Sequence, residues 1–351
     1  MKSNKKRIII FSVLGFVAMM LVAFIVVVAL MFGNQILAVM SIETLEEDFY
    51  SMEYEGDYGL DKLIEKGGVS SDQELIDHIV DVLYHDMCDV QVGNSPFGCS
   101  TLRATTEDGN VLFGRNFDFE DRKAMVVITE PKNGYKSIST CNLDLLGMDD
   151  SWKPDTFVNK MMSLASIYMP VDGMNEKGVC VAVLYVSVGA PTNQNTDKPD
   201  ITTTTAVRLI LDKASNVDEA IELLEQYDMH ASMGGRFKFA IADASGKSVT
   251  VEYILNEMSV TEVDATSNFI QTPGSNYGLG IKGPCPRYEK LVDAYIRYNG
   301  NMTEELMMSA MESVSNVVAN TQWTVVFNTD ELTATYCYYG DFDKTYNFKI
   351  K

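Results

Sequence analysis

Histidine is almost missing from this chain: there are three in 351 residues, at positions 78, 85 and 230. A catalytic thiol or hydroxyl ordinarily recruits a histidine as its base, and only His230 lies beyond residue 99. Lysine and arginine do not cluster anywhere after the first seven residues, and the formal charge is -21. The chain therefore lacks the basic patch that neutralises nucleic-acid phosphates, and no nucleic acid is expected as a partner. CxxC spacing is absent too. Cys88, Cys99, Cys141, Cys180, Cys285 and Cys337 are scattered, which supports neither a zinc site nor a dense disulfide framework, and no metal or organic cofactor is expected. Internal repeats and low-complexity tracts are lacking as well. Residues 8–33, "IIIFSVLGFVAMMLVAFIVVVALMFG", carry no charge at all.

That uncharged run is long enough to cross about 30 Å of hydrocarbon as a helix. "MKSNKKR" precedes it, and basic flanks stay on the cytoplasmic side. The expectation is a cytoplasmic tail at 1–7, a single-pass anchor in the cell membrane at 8–33, and everything after Gly33 outside, with release from the membrane as the alternative if the chain is cut after Gly98 and the later part does not stay bound to the earlier one. A cleavable signal peptide is the rival reading, but its apolar region normally holds only about 7–15 residues. Residues 34–98 are acidic, with helical apolar spacing at Leu75, Ile76, Ile79, Val80 and Leu83, and Ser71 with Glu74 forms a capping-box pattern. This segment reads either as a spacer or as a pro-segment ending at Gly98.

From Cys99 the pattern changes to hairpins. "CSTLRATTEDGNVLFGRNFDF" turns at Asp108-Gly109, "MPVDGMNEKGVCVAVLYVSV" around Asn175 to Gly178, and "FKFAIADASGKSVTVEYI" at Ser245-Gly246. Helical patterns lie between the second and third, "TTTTAVRLILDKA" and "VDEAIELLEQYDMH", and two more, "RYEKLVDAYIRY" and "TEELMMSAMESVS", precede a final run of strands. Strands, then helices, then strands predict an α+β domain over 99–351, with antiparallel sheets covered by helices.

A two-residue turn at Asp108-Gly109 would make paired residue numbers sum to 217, so that Cys99 faces Asp118 and Arg115 falls on the opposite face unless a bulge intervenes. Taken alone, this is an ordinary hairpin with a surface arginine and aspartate. If the chain were cut before Cys99, however, the freed α-amine, with an ordinary pKa of about 7.7–8.0, would supply a base on the same residue as the thiol. Asp118 could then orient that amine, and a guanidinium from Arg115 would favour thiolate.

At these residues the chain resembles the choloylglycine hydrolase and penicillin V acylase family, the linear amide C-N hydrolases with an N-terminal nucleophile. The resemblance joins Cys99, Gly109-Asn110 and "GRNFD", with Arg115 and Asp118, to the second hairpin "DGMNEKGVCVAVLYV" and to "GPCPRYEKL" with Arg287. It implies a four-layer αββα sandwich of two antiparallel sheets and autocatalytic cleavage between Gly98 and Cys99. It further implies that Cys99 is the nucleophile, Asp118 holds its amine, Arg115 supports the thiolate and Arg287 braces the transition state. An oxyanion hole would come from the side chain of Asn268 in "ATSNFIQT", with Gln271 as the competing alignment, and from the backbone of Tyr185. Bile salt hydrolases carry asparagine at that last position and penicillin V acylases tyrosine, which tilts the expected substrate away from bile salts. Homo-oligomers are usual in the family, but no interface is legible here.

The expected activity is hydrolysis of linear, non-peptide amide bonds of small N-acyl substrates through an acyl-enzyme on Cys99. Two alternatives are an acyltransferase of the isopenicillin N type and a catalytically silent anchored binding protein. Met148, Trp152, Phe157, Met161 and Met162 are candidate contacts for an apolar acyl group, with core packing as the plainer role for most of them.

Overall fold

A computed structural model describes residues 2–85, 98–120, 123–149, 151–280, 285–316 and 320–351, with side chains from residue 11 onward. In chain order these form helix α1 (Lys2–Met40), strands β1 (Glu43–Glu46) and β2 (Phe49–Glu55), helices α2 (Leu60–Glu65) and α3 (Asp72–Ile79), and strands β3 (Gly98–Thr105), β4 (Val111–Asp118), β5 (Ala124–Glu130) and β6 (Ser137–Asn142). Helix α4 (Phe157–Met162), strands β7 (Asp172–Asn175), β8 (Cys180–Tyr185) and β9 (Asp200–Thr202), helices α5 (Thr203–Lys213) and α6 (Val217–Glu225) and strand β10 (Asp228–His230) follow. Strands β11 (Phe237–Ala242), β12 (Ser248–Ile254), β13 (Glu257–Glu262) and β14 (Ala265–Ser267), helices α7 (Pro286–Arg297) and α8 (Glu304–Ser313), and strands β15 (Thr321–Asn328), β16 (Thr333–Tyr338) and β17 (Asp341–Lys349) complete the set.

The larger sheet has the order β1-β2-β5-β6-β7-β8-β11-β12-β13 and the smaller β14-β3-β4-β15-β16-β17. They face each other across an apolar layer that includes Phe113, Phe117 and Trp323 from one sheet and Val181, Val183 and Phe239 from the other. Helices α5 and α6 cover the outer face of the larger sheet, and α7 and α8 that of the smaller. The result is the expected four-layer αββα sandwich; within its two sheets β2 runs parallel to β5, and β9 and β10 form a separate parallel pair.

Local chemistry explains where the helices begin. Thr202, Asn216 and Thr303 each accept a hydrogen bond from the backbone N–H three residues on, at the starts of α5, α6 and α8, which stabilises each start by about 1 kcal/mol. Strand β4 is buried at every position, because it has the other sheet on one side and α8 on the other. A side chain at Gly114 would bring a Cβ 2.8 Å from Met307 Sδ, so the closeness of that helix depends on glycine.

Residues 43–85, part of the acidic segment read as a pro-segment or spacer, lie inside this architecture and not beside it. The apolar side chains of "FYSMEYE" put Phe49 into the layer between the sheets and Tyr50, Met52 and Tyr54 into a second core with Met125, Val127 and Tyr168. Helix α3 starts as expected: Ser71 accepts the Glu74 N–H, and the Glu74 carboxylate accepts the Ser70 N–H. The last part of the segment, 86–97 with Cys88, lies outside the described residues.

Met148, Trp152 and Met161 are buried in the second core, Met162 packs against it, and Phe157 is exposed on α4. These side chains pack around the N-terminal segment rather than around Cys99, which belongs to the layer between the sheets. Among the described helices, α1 is the one long and apolar enough to cross a membrane. Its apolar stretch is exposed, while Ala38 and Val39 at its end are buried in the second core.

Candidate active site

The site begins with the register of the β3–β4 hairpin. Thr106 donates its N–H to Asn110 O at 2.8 Å, and Gly109 donates to Thr106 O at 3.0 Å. The loop is therefore three residues, Glu107-Asp108-Gly109, with Gly109 at φ +94°, the glycine-dependent geometry of three-residue hairpins. Paired numbers sum to 216, not 217: Cys99 faces Phe117, and Gly98 faces Asp118. One residue of slip exchanges the faces. Cys99, Arg115 and Phe117 thus point together into the layer between the sheets, and the expected separation of Arg115 from Cys99 is overturned. It is Asp118 that turns to the other face, beneath α7.

Arg115 is fully buried. Its Nη1 donates to Cys99 Sγ at 3.2 Å and Nη2 to Val183 O at 3.0 Å, while Nε lies 2.6 Å from Asp172 Oδ2. Asp172, on β7, also accepts from Trp323 Nε1 at 2.9 Å. A planar guanidinium held at Nε by Asp172 and at Nη2 by Val183 O presents Nη1 to sulfur in a fixed direction. Burial pushes the Asp172 carboxyl up, against the pull of Arg115.

Cys99 is sealed from solvent at 0% exposure, and its thiol donates to Val183 O at 3.4 Å. Burial raises the thiol pKa, and Arg115 opposes that rise without cancelling it. This holds for the continuous chain, whereas the expected thiolate belongs to a chain cut before Cys99. Desolvation outweighs one nearby cation here.

On the opposite face the Asp118 carboxylate is held by Thr321 Oγ1 at 2.7 Å and by Arg287 Nη1. Thr321 reaches it because a bulge in β15 shifts the register between Thr321 and Trp323. Arg287 sits in the first turn of α7. A Cβ on Gly98 would come 2.7 Å from Asp118 Oδ2, so the carboxylate lies against the 98–99 peptide from the side away from the thiol. The strand divides the two jobs, with sulfur meeting Arg115 on one face and backbone nitrogen meeting polar groups on the other.

Asn268 Oδ1 accepts the Cys99 N–H at 2.7 Å and Arg287 Nη2 at 2.8 Å, while its Nδ2 donates to Tyr185 O at 2.7 Å. In the uncut chain the amide that sequence reasoning assigned to an oxyanion hole is thus occupied by the Tyr185 carbonyl. Gln271, the competing candidate, turns into its own loop: Oε1 accepts from Thr266 Oγ1, and Nε2 donates to Ala265 O at 2.9 Å. His230 is engaged elsewhere, between Asp200 and Asn193 at 2.7 Å each.

Sequence reasoning missed three supports. Asp172 stood in the quoted "DGMN" but has no signature of its own as an arginine partner. Lys238 and Glu252 form a buried pair 3.4 Å apart. Lys238 Nζ donates to Thr266 Oγ1 and Phe269 O at 2.7 and 2.6 Å, and Glu252 accepts the N–H groups of Gln271 and Thr272. The pair clamps the loop that carries Asn268 from both ends. No group of three or more metal-ligating side chains occurs among the described residues.

Fold and site define a class: an αββα sandwich with a buried, arginine-contacted cysteine on the first strand of its smaller sheet. Residues 99–273 match the family model of linear amide C-N hydrolases, choloylglycine hydrolase family, and this part of the chain belongs to that family. Two variants of the conjugated bile acid hydrolase from Clostridium perfringens share the fold, each with a TM-score of 0.50 and 17% identity over 72% of this chain and 92% of theirs. Penicillin V acylase from Agrobacterium tumefaciens aligns with a TM-score of 0.48 and 16% identity, over 68% of this chain and 83% of its own. No curated protein matches the chain.

Proposed function

We propose that this is a membrane-anchored, self-processing cysteine amidohydrolase that acts outside the cell on small N-acyl amides. The observation that carries the reading is the convergence on one residue: Arg115 contacts the sulfur of Cys99, and Asn268 accepts from its nitrogen. In maturation, Cys99 Sγ adds to the Gly98 carbonyl carbon. The C–N bond breaks, with the thiol proton passing to nitrogen, and water hydrolyses the thioester to the Gly98 carboxylate and free thiol. Severing the peptide converts an amide N–H into an amine that can accept a proton, beside Asn268 Oδ1 and in reach of the field of Asp118.

The amine then takes the thiol proton as sulfur adds to the substrate carbonyl, and returns it to the leaving amine. Arg115 compensates charge on sulfur, while Arg287 holds Asp118 and Asn268 in place. The oxyanion donors are the Asn268 amide, once released from Tyr185 O, and the Tyr185 backbone N–H. The apolar helix α1 at the N-terminus supports attachment to the cell membrane.

Intact mass and N-terminal sequencing of the purified protein test the reading, together with a panel of bile salt conjugates, penicillin V, acyl homoserine lactones and fatty acyl amino acids. A mature chain beginning at Cys99, with turnover of one class abolished by Cys99→Ala, is expected. An active preparation with the Gly98–Cys99 bond intact would refute it.

A further inference from the structure

Cleavage before Cys99 would ordinarily be expected to free the catalytic part from everything upstream, including its membrane helix. The packing argues otherwise. Strand β2 pairs with β5 along seven residues, from Phe49 opposite Ala124 to Glu55 opposite Glu130. Without it β5 would become an exposed edge, with unpaired backbone groups and apolar side chains on both faces. Phe49 stacks on Tyr338, with centroids 4.5 Å apart and planes 5° from parallel. Its removal would open the layer between the sheets.

Beyond β2 the segment is held by buried polar bonds as well. Tyr58 donates its hydroxyl to Asp212, whose other oxygen is held by Arg208 at 2.9 Å, and Tyr168 OH donates to Tyr58 O at 2.6 Å. Val69 N–H donates to Asp200 O and Asp200 N–H to Gly67 O, both at 2.9 Å. A Cβ on Gly68 would come 1.8 Å from that same Asp200 oxygen, so backbone meets backbone there. Tyr84 OH bridges Met162 O and the Ala165 N–H. These contacts involve elements from β5 to β16, and they have the character of an obligate interface, a domain core cut in two.

We propose that residues 2–98 stay as a second, non-covalently held chain of the enzyme after scission, so that maturation leaves the catalytic part on its membrane helix and does not release it. The inference rests on the cleavage in the proposed function, and its test has two arms. In the first, the full chain, tagged at both ends, is expressed in membranes and washed with high salt and with reductant, which removes any contribution of a disulfide through Cys88. Two bands on denaturing gels that sediment together, and elute together in mild detergent, are expected. A cut 99–351 part in the wash, active and free of 2–98, would overturn this inference while leaving the cysteine chemistry intact. In the second arm a specific-protease site replaces residues 92–97 in a Cys99→Ala chain, so the junction can be opened whether or not the protein cleaves itself. Co-elution of the two parts after digestion supports the proposal, and their separation refutes it. An uncut first-arm chain with co-eluting second-arm parts would condemn the self-processing reading alone.

Discussion

Arg115 is a cation with 0% exposure, a placement that is tolerable only when the charge is paired and its donors are satisfied. Asp172 supplies the pairing from the other sheet, so the position of the guanidinium at Cys99 depends on a residue that need not touch the reacting atoms. Asp172→Asn keeps the shape and removes the charge. It is expected to lower kcat by about tenfold to a hundredfold, the scale of a small misplacement, with KM nearly unchanged and the pH profile of thiol alkylation moved upward. Steady-state kinetics and pH-dependent alkylation check this. A fall in stability with an unmoved alkylation profile would reduce Asp172 to a packing role. Gly98 makes a second case at this scale. Gly98→Ala would thrust a methyl at Asp118 Oδ2, 2.7 Å away, displacing the carboxylate from the Gly98–Cys99 peptide, where the proposed scission falls. Self-cleavage is expected to slow by about tenfold, equivalent to ~1.4 kcal/mol on the barrier, as read from the ratio of uncut to cut bands over time.

Elements matter here through the ends they hold. The loop after β14 carries Asn268, and Lys238 with Glu252 fixes it from strands β11 and β12. Burial lowers the Lys238 pKa to about 8, with Glu252 opposing the shift. Lys238→Met leaves a buried carboxylate without its cation, which costs about 3–5 kcal/mol. Lys238→Met with Glu252→Gln should recover much of that stability but not the kcat lost through a loosened Asn268. Thermal unfolding and kcat for both single variants and the double separate the two effects. The same elements show how far the sequence could be read. Helices α5, α6 and α8 were legible because each begins at a capping side chain followed by a regular apolar stripe. The hairpin was legible as a hairpin, but its register was not. Gly109 at positive φ suits a two-residue and a three-residue loop alike, so the sequence does not choose between them, and that choice decides which of Arg115 and Asp118 joins the thiol. Strand β2 escaped because "FYSMEYE" reads as acidic surface unless the parallel partner that buries Phe49, Met52 and Tyr54 is known. Asp172 and Lys238 escaped because nothing local marks a charge whose partner lies on another strand.

At the scale of the whole molecule the N-terminal segment is an integral part of two cores, and its fit depends on pH through one buried group. His78 on α3 lies against the domain, with Nε2 3.1 Å from both Tyr168 OH and Gly59 O. Burial lowers its pKa to about 4, Gly59 O pulls the other way, and Lys66 and Lys62 push it lower still against Asp81. In the unfolded or separated chain the ring has its ordinary value near 6.5. Between these values the open state binds a proton that the closed state refuses, so stability is complete above about pH 6.5 and drains away as pH falls toward about 4. His78→Gln keeps a donor for Gly59 O or Tyr168 OH without the titration, and is expected to flatten the slope between pH 6.5 and 4 while leaving in place the acid limb from Asp61, whose carboxyl burial pushes up but Lys213 and Asn133 together bring below its ordinary range. Thermal melts of both proteins across that range, scored with the co-elution of the 2–98 and 99–351 parts, measure the effect. An equal slope in wild type and variant would assign the pH dependence to the carboxylates and remove His78 from the account.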